Sequence, residues 1–135
     1  MREYSPLDII KVDATEKIFC TLIHPHLELK TEDSRKVLRQ SFSLKDVITQ
    51  SGNIAGLMIG LTKPDYPLIS RSLKDVIAEP TRAVFIPGFS NLRKIVLETG
   101  ALGCGISGSG PTIFALSETN EQAVAAGEAI QLEFL

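Results

Sequence analysis

A glycine-rich stretch that ends in a proline constrains the fold of this chain more than any other feature. Residues 103–110 hold four glycines and two serines, and together with Gly100 the region contains half of the ten glycines in the sequence. Glycine adopts positive φ and lets polar groups approach the backbone amides closely. Pro111 cannot donate a backbone hydrogen bond, and the run TIFAL at 112–116 is typical of a buried strand. The stretch therefore predicts a binding loop between two extended segments.

The same stretch formally matches the dinucleotide fingerprint G-x-G-x-x-G at Gly103, Gly105 and Gly108. That motif requires a helix directly after the glycines, so that the helix N-terminus faces the pyrophosphate. A proline and a strand-like run follow instead, and the Gly-Lys-Ser/Thr ending of a Walker A loop is missing. We therefore interpret the stretch as a polar binding loop. The alternative is a tight hairpin turn, for which two glycines would suffice.

Periodicity and capping patterns divide the rest of the chain into one early strand and several helices. Residues 18–23 form a run of β-formers that Pro25 closes. The patterns predict helices from Thr31 through Gln40, from Ser43 to Leu61 with an interruption near Gly52, over 66–77, over 89–98 with Gly100 as C-terminal cap, and from Thr119 toward the last residue.

Gly52, Gly56 and Gly60 lie four residues apart on the second of these helices. This spacing gives a smooth helix face and predicts a close contact with another helix. A membrane dimerisation motif is the wrong interpretation, because the segment is too short and too polar for a bilayer.

The order of the elements predicts an α+β fold in one domain, residues 1–135. A strand, helices, then two strands and a helix are typical of an antiparallel sheet covered by helices. A two-layer, ferredoxin-like sandwich is the most economical closure. Because three strands make a thin sheet, we expect a further strand from residues 1–12, from 83–86 (AVFI), or from chain not present here.

Composition excludes several classes of function. The formal net charge is −2 and no basic run occurs, which argues against a nucleic-acid partner. Cys20 and Cys104 form no CxxC pair, so we expect a reducing, cytoplasmic compartment. No apolar run approaches the roughly 20 residues of a membrane span, and residues 1–12 show no basic segment followed by an apolar one, so we expect a soluble chain that is not exported. His24 and His26 lack further ligands nearby, and we expect surface or hydrogen-bonded histidines rather than a metal pair.

Three side chains outside the loop are candidates for binding an anion. Thr31 and Arg35 lie at the predicted start of the first helix, where free amides and a guanidinium suit a carboxylate or phosphate. A simple N-cap and a solvated arginine explain this pair equally well. Arg82, which follows Glu79-Pro80, is a second candidate for binding a carboxylate. No catalytic set can be assembled, so the residues alone predict a polar binding surface.

Four segments together resemble the homoserine kinases of the GHMP kinase superfamily: GISGSGPTIFAL at 105–116, DVIAEPTR at 75–82, IPGF at 86–89 and the stretch 31–35. The resemblance covers nearly the whole chain but only the C-terminal portion of those enzymes. Their phosphate-binding Pro-x-x-x-Gly-Leu-Gly-Ser-Ser-Ala motif belongs to an N-terminal domain that is absent here. The resemblance implies transfer of the γ-phosphoryl group of ATP, with Mg²⁺, to the hydroxyl of L-homoserine on the route to threonine.

The resemblance also assigns roles to individual residues. It implies that Thr31 and Arg35 lie near the amino-acid substrate and that Arg82 clamps the substrate carboxylate. The residues that match the loop supporting the phosphate-binding loop are Gly105, Ser107, Gly108, Ser109 and Gly110. We expect the chain alone to be inactive and to bind neither ATP nor Mg²⁺ tightly, because the N-terminal kinase domain and the family's last C-terminal strand are missing.

Other functions stay open at this point. A non-catalytic, ferredoxin-like amino-acid-binding or regulatory module would bind homoserine without ATP. Another kinase of the superfamily would use a different acceptor, although the arginines favour an amino acid. An oligomerisation domain, and with it a homodimer, is suggested by the face of Gly52, Gly56 and Gly60.

Overall fold

Antiparallel strands form one sheet in the computed structural model, which describes residues 3, 5–14 and 17–134. The described strands are β1 (Phe19–Ile23), β2 (Gly103–Ile106) and β3 (Ile113–Ser117). Their order is β1-β3-β2, so β3 is central and pairs antiparallel with both neighbours. This order, with helices between β1 and β2 and another after β3, is that of a ferredoxin-like sheet. The predicted fold class is confirmed.

The described helices are α1 (Thr31–Lys36), α2 (Leu44–Thr62), α3 (Tyr66–Ser72), α4 (Glu79–Arg82), α5 (Phe89–Glu98) and α6 (Asn120–Glu133), with a 3₁₀ turn at Ala83–Phe85. Side chains cap several of them as the sequence predicts. Ser43 accepts the Asp46 N–H at the start of α2, and Thr119 and Gln122 form a complete capping box at the start of α6. None of the described helices is long and apolar enough to cross a bilayer.

The core lies between one face of the sheet and the helices α5 and α6. Side chains alternate along β3, so Ile113, Ala115 and Ser117 are buried against the helices. The other fully buried core residues are Ile86, Leu92, Val96, Cys104, Ala126 and Ile130. On the opposite face, Leu73 approaches Gly103 so closely that a Cβ there would lie 3.1 Å from the leucine Cδ1. Both faces of β2 are therefore covered.

The glycines of α2 partly confirm the predicted close helix contact. A Cβ at Gly60 would lie 2.7 Å from Ile69 Cγ1 of α3, and one at Gly56 would lie 2.4 Å from Ser72 Oγ. A Cβ at Gly52 would meet nothing within 4 Å. Two of the three glycines pack against α3, and α2 runs through Gly52 without the predicted interruption.

Two helices are shorter in the structure than the sequence predicts. The helix predicted over 66–77 ends at Ser72, and the following turn is held by Asp75 Oδ1, which accepts the N–H groups of Ile77 and Ala78. An aspartate that satisfies backbone donors locally competes with the helix for them. The first helix ends at Lys36 rather than Gln40.

Within the described residues, neither of the two segments expected to supply a fourth strand does so. Residues 83–85 form a 3₁₀ turn instead of a strand, because they continue the winding of α4. In the segment 1–12, Glu3 and Asp8 form an isolated bridge, and residues 1, 2 and 4 lie outside the described part. Within the described residues, the sheet therefore has three strands.

Candidate functional site

The second half of the glycine-rich stretch, residues 107–110, lies in the loop between β2 and β3, as predicted, whereas its first half, Gly103–Ile106, is strand β2 rather than loop. The Ser107 N–H donates to Thr112 O at 2.8 Å, and the Gly110 N–H donates to Ser107 O at 3.0 Å. Gly108 and Gly110 have φ of +58° and +82°, values that favour glycine over any other residue. We call residues 107–112 the hairpin loop; Gly105 precedes it, within β2.

Helix α1 holds the hairpin loop from one side. Ser34 is fully buried, and its hydroxyl donates to Ser109 O at 2.9 Å across 75 residues of sequence. The hydroxyl of Thr31 lies 3.5 Å from the hydroxyl of Ser109. His24, just after β1, places Nδ1 2.7 Å from Thr112 Oγ1, so it is a hydrogen-bonded histidine as expected.

Helix α4 holds the loop from another side through Arg82. Pro80 lies in the first turn of this four-residue helix, where a proline costs no hydrogen bond. Arg82 Nη1 donates to Gly108 O at 2.7 Å, while Arg82 Nε is buried and has no partner among the described residues. One end of the guanidinium thus anchors the loop and leaves other N–H groups, the buried Nε–H among them, for an acceptor.

These anchors leave the N–H groups of the loop free and occupy its carbonyl oxygens. The carbonyl groups of Gly108 and Ser109 accept from Arg82 and Ser34, whereas the N–H groups of the same two residues donate to no described group. Successive free N–H groups in a glycine-rich turn form a concavity that suits an anion. The loop can therefore receive a negative group on its amide side while its carbonyl side is tied to the domain.

The structure brings together most of the predicted site residues. Thr31, Arg82 and the loop residues Ser107, Gly108, Ser109 and Gly110 lie in one hydrogen-bonded group. Thr31 is the first residue of α1 rather than its N-cap, which is Lys30, and so its side chain is free to reach the loop. Arg35 is exposed, lies one turn after Thr31, and pairs with no described side chain.

The sequence did not predict a partly buried ion pair beside the loop anchor α4. Glu79 of α4 binds Arg93 of α5, and Arg93 also donates to Leu73 O at 2.7 Å. Burial raises the pKa of Glu79 above its usual 4.5, and the adjacent Arg93 opposes the rise. The available signal was an arginine set among apolar residues of α5, a position where a charge needs a partner.

This ion pair borders a small pocket of about 210 Å³ between α2 and the sheet. Gln50 and Asn53 of α2, Glu79, Gly105 and Phe114 line it, together with the turn after α3. The polar groups of α2 that face it are used: Gln50 Oε1 accepts the Val76 N–H, and Asn53 donates to Lys74 O. The pocket therefore lies where α2 and the turn after α3 approach the sheet, and its polar α2 side chains serve to hold that turn.

Neither cysteine chemistry nor a metal is favoured by the described side chains. Cys104 is buried in the core, which raises its pKa to about 11 and keeps it a thiol at neutral pH. No three His, Cys, Asp or Glu side chains in the described part of the chain come together as metal ligands. What the site offers is positive charge, hydroxyl groups and free amides.

Comparison with known proteins gives one family. The family described as GHMP kinases, C terminal, matches residues 57–134, which is more than half of the chain. The homoserine kinase of Chlorobium phaeovibrioides is 53% identical over 135 residues, and that of Chlorobaculum tepidum is 48% identical over 135 residues. These alignments cover 100% of this chain and 42% of each relative.

A solved structure agrees with these relatives. The crystal structure of homoserine kinase from Cytophaga hutchinsonii matches with a TM-score of 0.95 and 47% identity. The match covers 98% of this chain and 42% of that one. The chain thus spans about two fifths of the length of the proteins it matches.

Proposed function

This chain belongs to the GHMP kinases, whose C-terminal region it matches, and on that premise we propose that it is the acceptor-binding portion of a homoserine kinase. The proposed reaction converts ATP and L-homoserine to ADP and O-phospho-L-homoserine, a step toward threonine. The support is similarity over the full length of this chain to proteins named homoserine kinase. The observation in the molecule that carries the proposal is the anchored hairpin loop with its free amides beside Arg82.

We assign recognition of the substrate carboxylate to Arg82, with Thr31 and Arg35 nearby. A guanidinium binds a carboxylate through paired, charge-assisted hydrogen bonds. Arg82 is fixed by Gly108 O and keeps a buried Nε–H without a partner among the described residues. Arg35 adds an exposed positive charge on α1, one turn from Thr31.

We assign to the hairpin loop the support of a phosphate-binding loop supplied by the remainder of the enzyme. Phosphoryl transfer depends mainly on positioning and on stabilising negative charge. The free N–H groups of Gly108 and Ser109 supply partial positive charge. Because they belong to the backbone, no flexible side chain has to lose conformational entropy on binding. No described residue here is assigned as a general base.

Mg²⁺, when bound to the complete enzyme, neutralises charge on the phosphates of ATP. The described residues supply no ligand cluster for it, so we place no step of the reaction on a metal in this chain. We propose that the nucleotide and its metal are held by an N-terminal kinase domain, and that the enzyme works in the cytoplasm, where free thiols such as Cys20 and Cys104 stay reduced.

The test combines this chain with the N-terminal portion of a relative that lies outside the match, and it measures ADP release with homoserine. Turnover that requires both parts is expected; a pair that binds both reactants without turnover would refute the kinase assignment. Calorimetry of this chain alone with homoserine, with and without Mg-ATP, distinguishes the rival function. Tight homoserine binding by this chain that Mg-ATP does not affect would instead support a non-catalytic amino-acid-binding module.

A substrate lacking the carboxylate tests Arg82 directly. In the reconstituted enzyme, 3-aminopropan-1-ol keeps the amine and hydroxyl of homoserine but has no carboxylate. We expect it to have a kcat/KM lower by about 10- to 150-fold, as the loss of a hydrogen bond to a charged group costs about 1.5–3 kcal/mol. Arg82→Ala should abolish this discrimination, and Arg71→Ala, which removes an exposed arginine of α3, should keep it. Equal discrimination by both variants would remove Arg82 from carboxylate recognition.

A further inference from the structure

Helix α4 carries Arg82, and it is too short to fix that arginine by itself. It comprises the four residues Glu79–Arg82, and isolated helices shorter than about 12 residues are marginal in water. Its N-cap, Ala78, has no polar side chain, and the turn before it is held locally by Asp75, three residues away. The position of Arg82 therefore depends on a contact that joins α4 to the rest of the domain.

Glu79, the first residue of α4, makes such a contact with Arg93. Its side chain is 11% exposed and accepts a hydrogen bond from Arg93 Nη1. Arg93 lies on α5, whose residues Leu92 and Val96 are fully buried in the core. The second nitrogen of the same guanidinium, Nη2, donates to Leu73 O at 2.7 Å. One guanidinium thus joins α4 to the core helix α5 and to the end of α3.

Strand β2 leaves room for this carboxylate at Gly105. A Cβ at Gly105 would lie 3.4 Å from Glu79 Oε2 and 3.0 Å from Phe114 Cε1. Gly105 is not one of the glycines with positive φ, so it is the lack of space, and not the backbone conformation, that favours glycine here. Glu79 is therefore confined between β2 and the guanidinium of Arg93.

A series of contacts then leads from the core to the hairpin loop. Arg93 holds Glu79 at the start of α4. Arg82, the last residue of the same helix, donates from Nη1 to Gly108 O at 2.7 Å. Because side chains three residues apart are neighbours on a helix, a shift of α4 at Glu79 also moves Arg82. Misplacement of a binding group by about 1 Å can cost about 100-fold in rate.

We propose that Arg93 is a positioning residue for Arg82 and that it acts through Glu79. This role rests on the proposed function of Arg82, which is to bind the substrate carboxylate. An arginine suits the role better than a lysine, because its planar fork reaches two acceptors in a fixed geometry, whereas an ammonium is a mobile point charge. Arg93 uses this fork on Glu79 and on Leu73 O.

Kinetics of the reconstituted enzyme with homoserine and with 3-aminopropan-1-ol test the proposal. The informative variant combines Glu79→Gln with Arg93→Met, because removing both charges leaves no unpaired charge in the interior. We expect its kcat/KM for homoserine to fall about 10-fold or more, mainly through KM, and its kcat/KM for 3-aminopropan-1-ol to change less than about 3-fold. Lys94→Met is the matched control, since it removes an exposed charge from the next position of α5, and it should keep the wild-type discrimination.

The conservative variant Glu79→Gln alone should restore the discrimination to within about 3-fold of the wild type, because its amide oxygen can still accept from Arg93. A double variant that discriminates like the wild type, or that loses activity equally with both substrates, would overturn the positioning role. Arg82→Ala, measured alongside, distinguishes this result from a failure of the proposed function. If Arg82→Ala keeps the discrimination, Arg82 does not bind the carboxylate and both proposals fall.

Nuclear magnetic resonance of this chain gives a readout that needs no catalysis. The N–H group of Ser109 belongs to the same peptide unit as Gly108 O, the acceptor of Arg82. We expect the amide signal of Ser109 to shift in the double variant and to stay in place in Lys94→Met, because a displaced Arg82 no longer polarises that peptide group. An unchanged Ser109 signal in the double variant would also overturn the proposal.

Discussion

Two glycine-to-alanine substitutions in α2 test the packing of this helix with an internal control. Gly52 and Gly60 lie in the same uninterrupted helix, eight residues apart. Alanine at either position gains helix propensity, worth about 0.8–1.0 kcal/mol relative to glycine. The substitutions differ in what the new methyl group meets. At Gly52 it meets nothing within 4 Å, whereas at Gly60 it would lie 2.7 Å from Ile69 Cγ1 and 3.3 Å from the backbone N of Ile69.

The structure indicates how far the two substitutions should differ in their effect on the free energy of unfolding. Ile69 is fully buried, so it cannot move toward solvent to admit the methyl group. Overpacking of this kind costs about 1–3 kcal/mol, which cancels or exceeds the propensity gain. Gly52→Ala should therefore raise the free energy of unfolding by up to about 1 kcal/mol, and Gly60→Ala should leave it unchanged or lower it by up to about 2 kcal/mol.

Urea unfolding monitored by circular dichroism measures both free energies. The m-values should stay the same in both variants, since neither changes the surface exposed on unfolding. Measurement at two protein concentrations separates folding from association. Equal stabilisation by both substitutions would show that α2 and α3 do not pack as closely as described, and the glycine spacing would then lose its structural explanation.

Three further predictions concern the site and its surroundings. Ser34→Ala should lower the free energy of unfolding by about 1–2 kcal/mol, because the carbonyl of Ser109 loses its buried donor. Thr31→Ala should change it little, because the 3.5 Å contact of Thr31 with Ser109 is exposed. Urea unfolding of the two variants measures the difference. A thiol reagent at pH 8 should label Cys20 in the native chain and Cys104 only after unfolding, since the pKa of Cys104 is about 11; labelling of both in the native chain would contradict its burial. Because the pKa of Glu79 is raised in the native state, the folded protein keeps the Glu79 proton to a higher pH than the unfolded chain does. Stability should therefore fall as the pH rises from 4.5 through the native pKa. Thermal melts over this pH range should show the fall in the wild type and not in Glu79→Gln.

Local patterns predicted the elements whose ends are fixed by local chemistry. The bounds of α5 and the start of α6 followed from glycine and capping-box signals within a few residues of each end. The end of α3 did not follow, although its apolar spacing continued. Asp75 takes the backbone N–H groups there, and Gln50 from a different helix takes the Val76 N–H. Periodicity carries no information about such a distant acceptor.

The candidate site likewise contains residues that the sequence could identify and one contact that it could not. Glycine density and the arginine after Glu79-Pro80 identified the loop and Arg82 as candidates from the sequence. The partner of Glu79 could not be predicted, because Arg93 is one of many charged residues and only the fold brings it to α4. A resemblance to a family can name such residues, but it does not supply the contact that fixes each one.

The direction in which the loop can bind depends on contacts distant in sequence. Ser34 and Arg82 reach the loop across 75 and 26 residues, and both take carbonyl oxygens. With those oxygens tied to the domain, the free N–H groups of Gly108 and Ser109 are the side left for a ligand. If the anchors took the amides instead, the same glycines would present carbonyl oxygens and would repel a phosphate or carboxylate. The glycines allow the backbone of the loop to present its polar groups closely to a ligand. The two anchors determine that these groups are N–H donors rather than carbonyl oxygens.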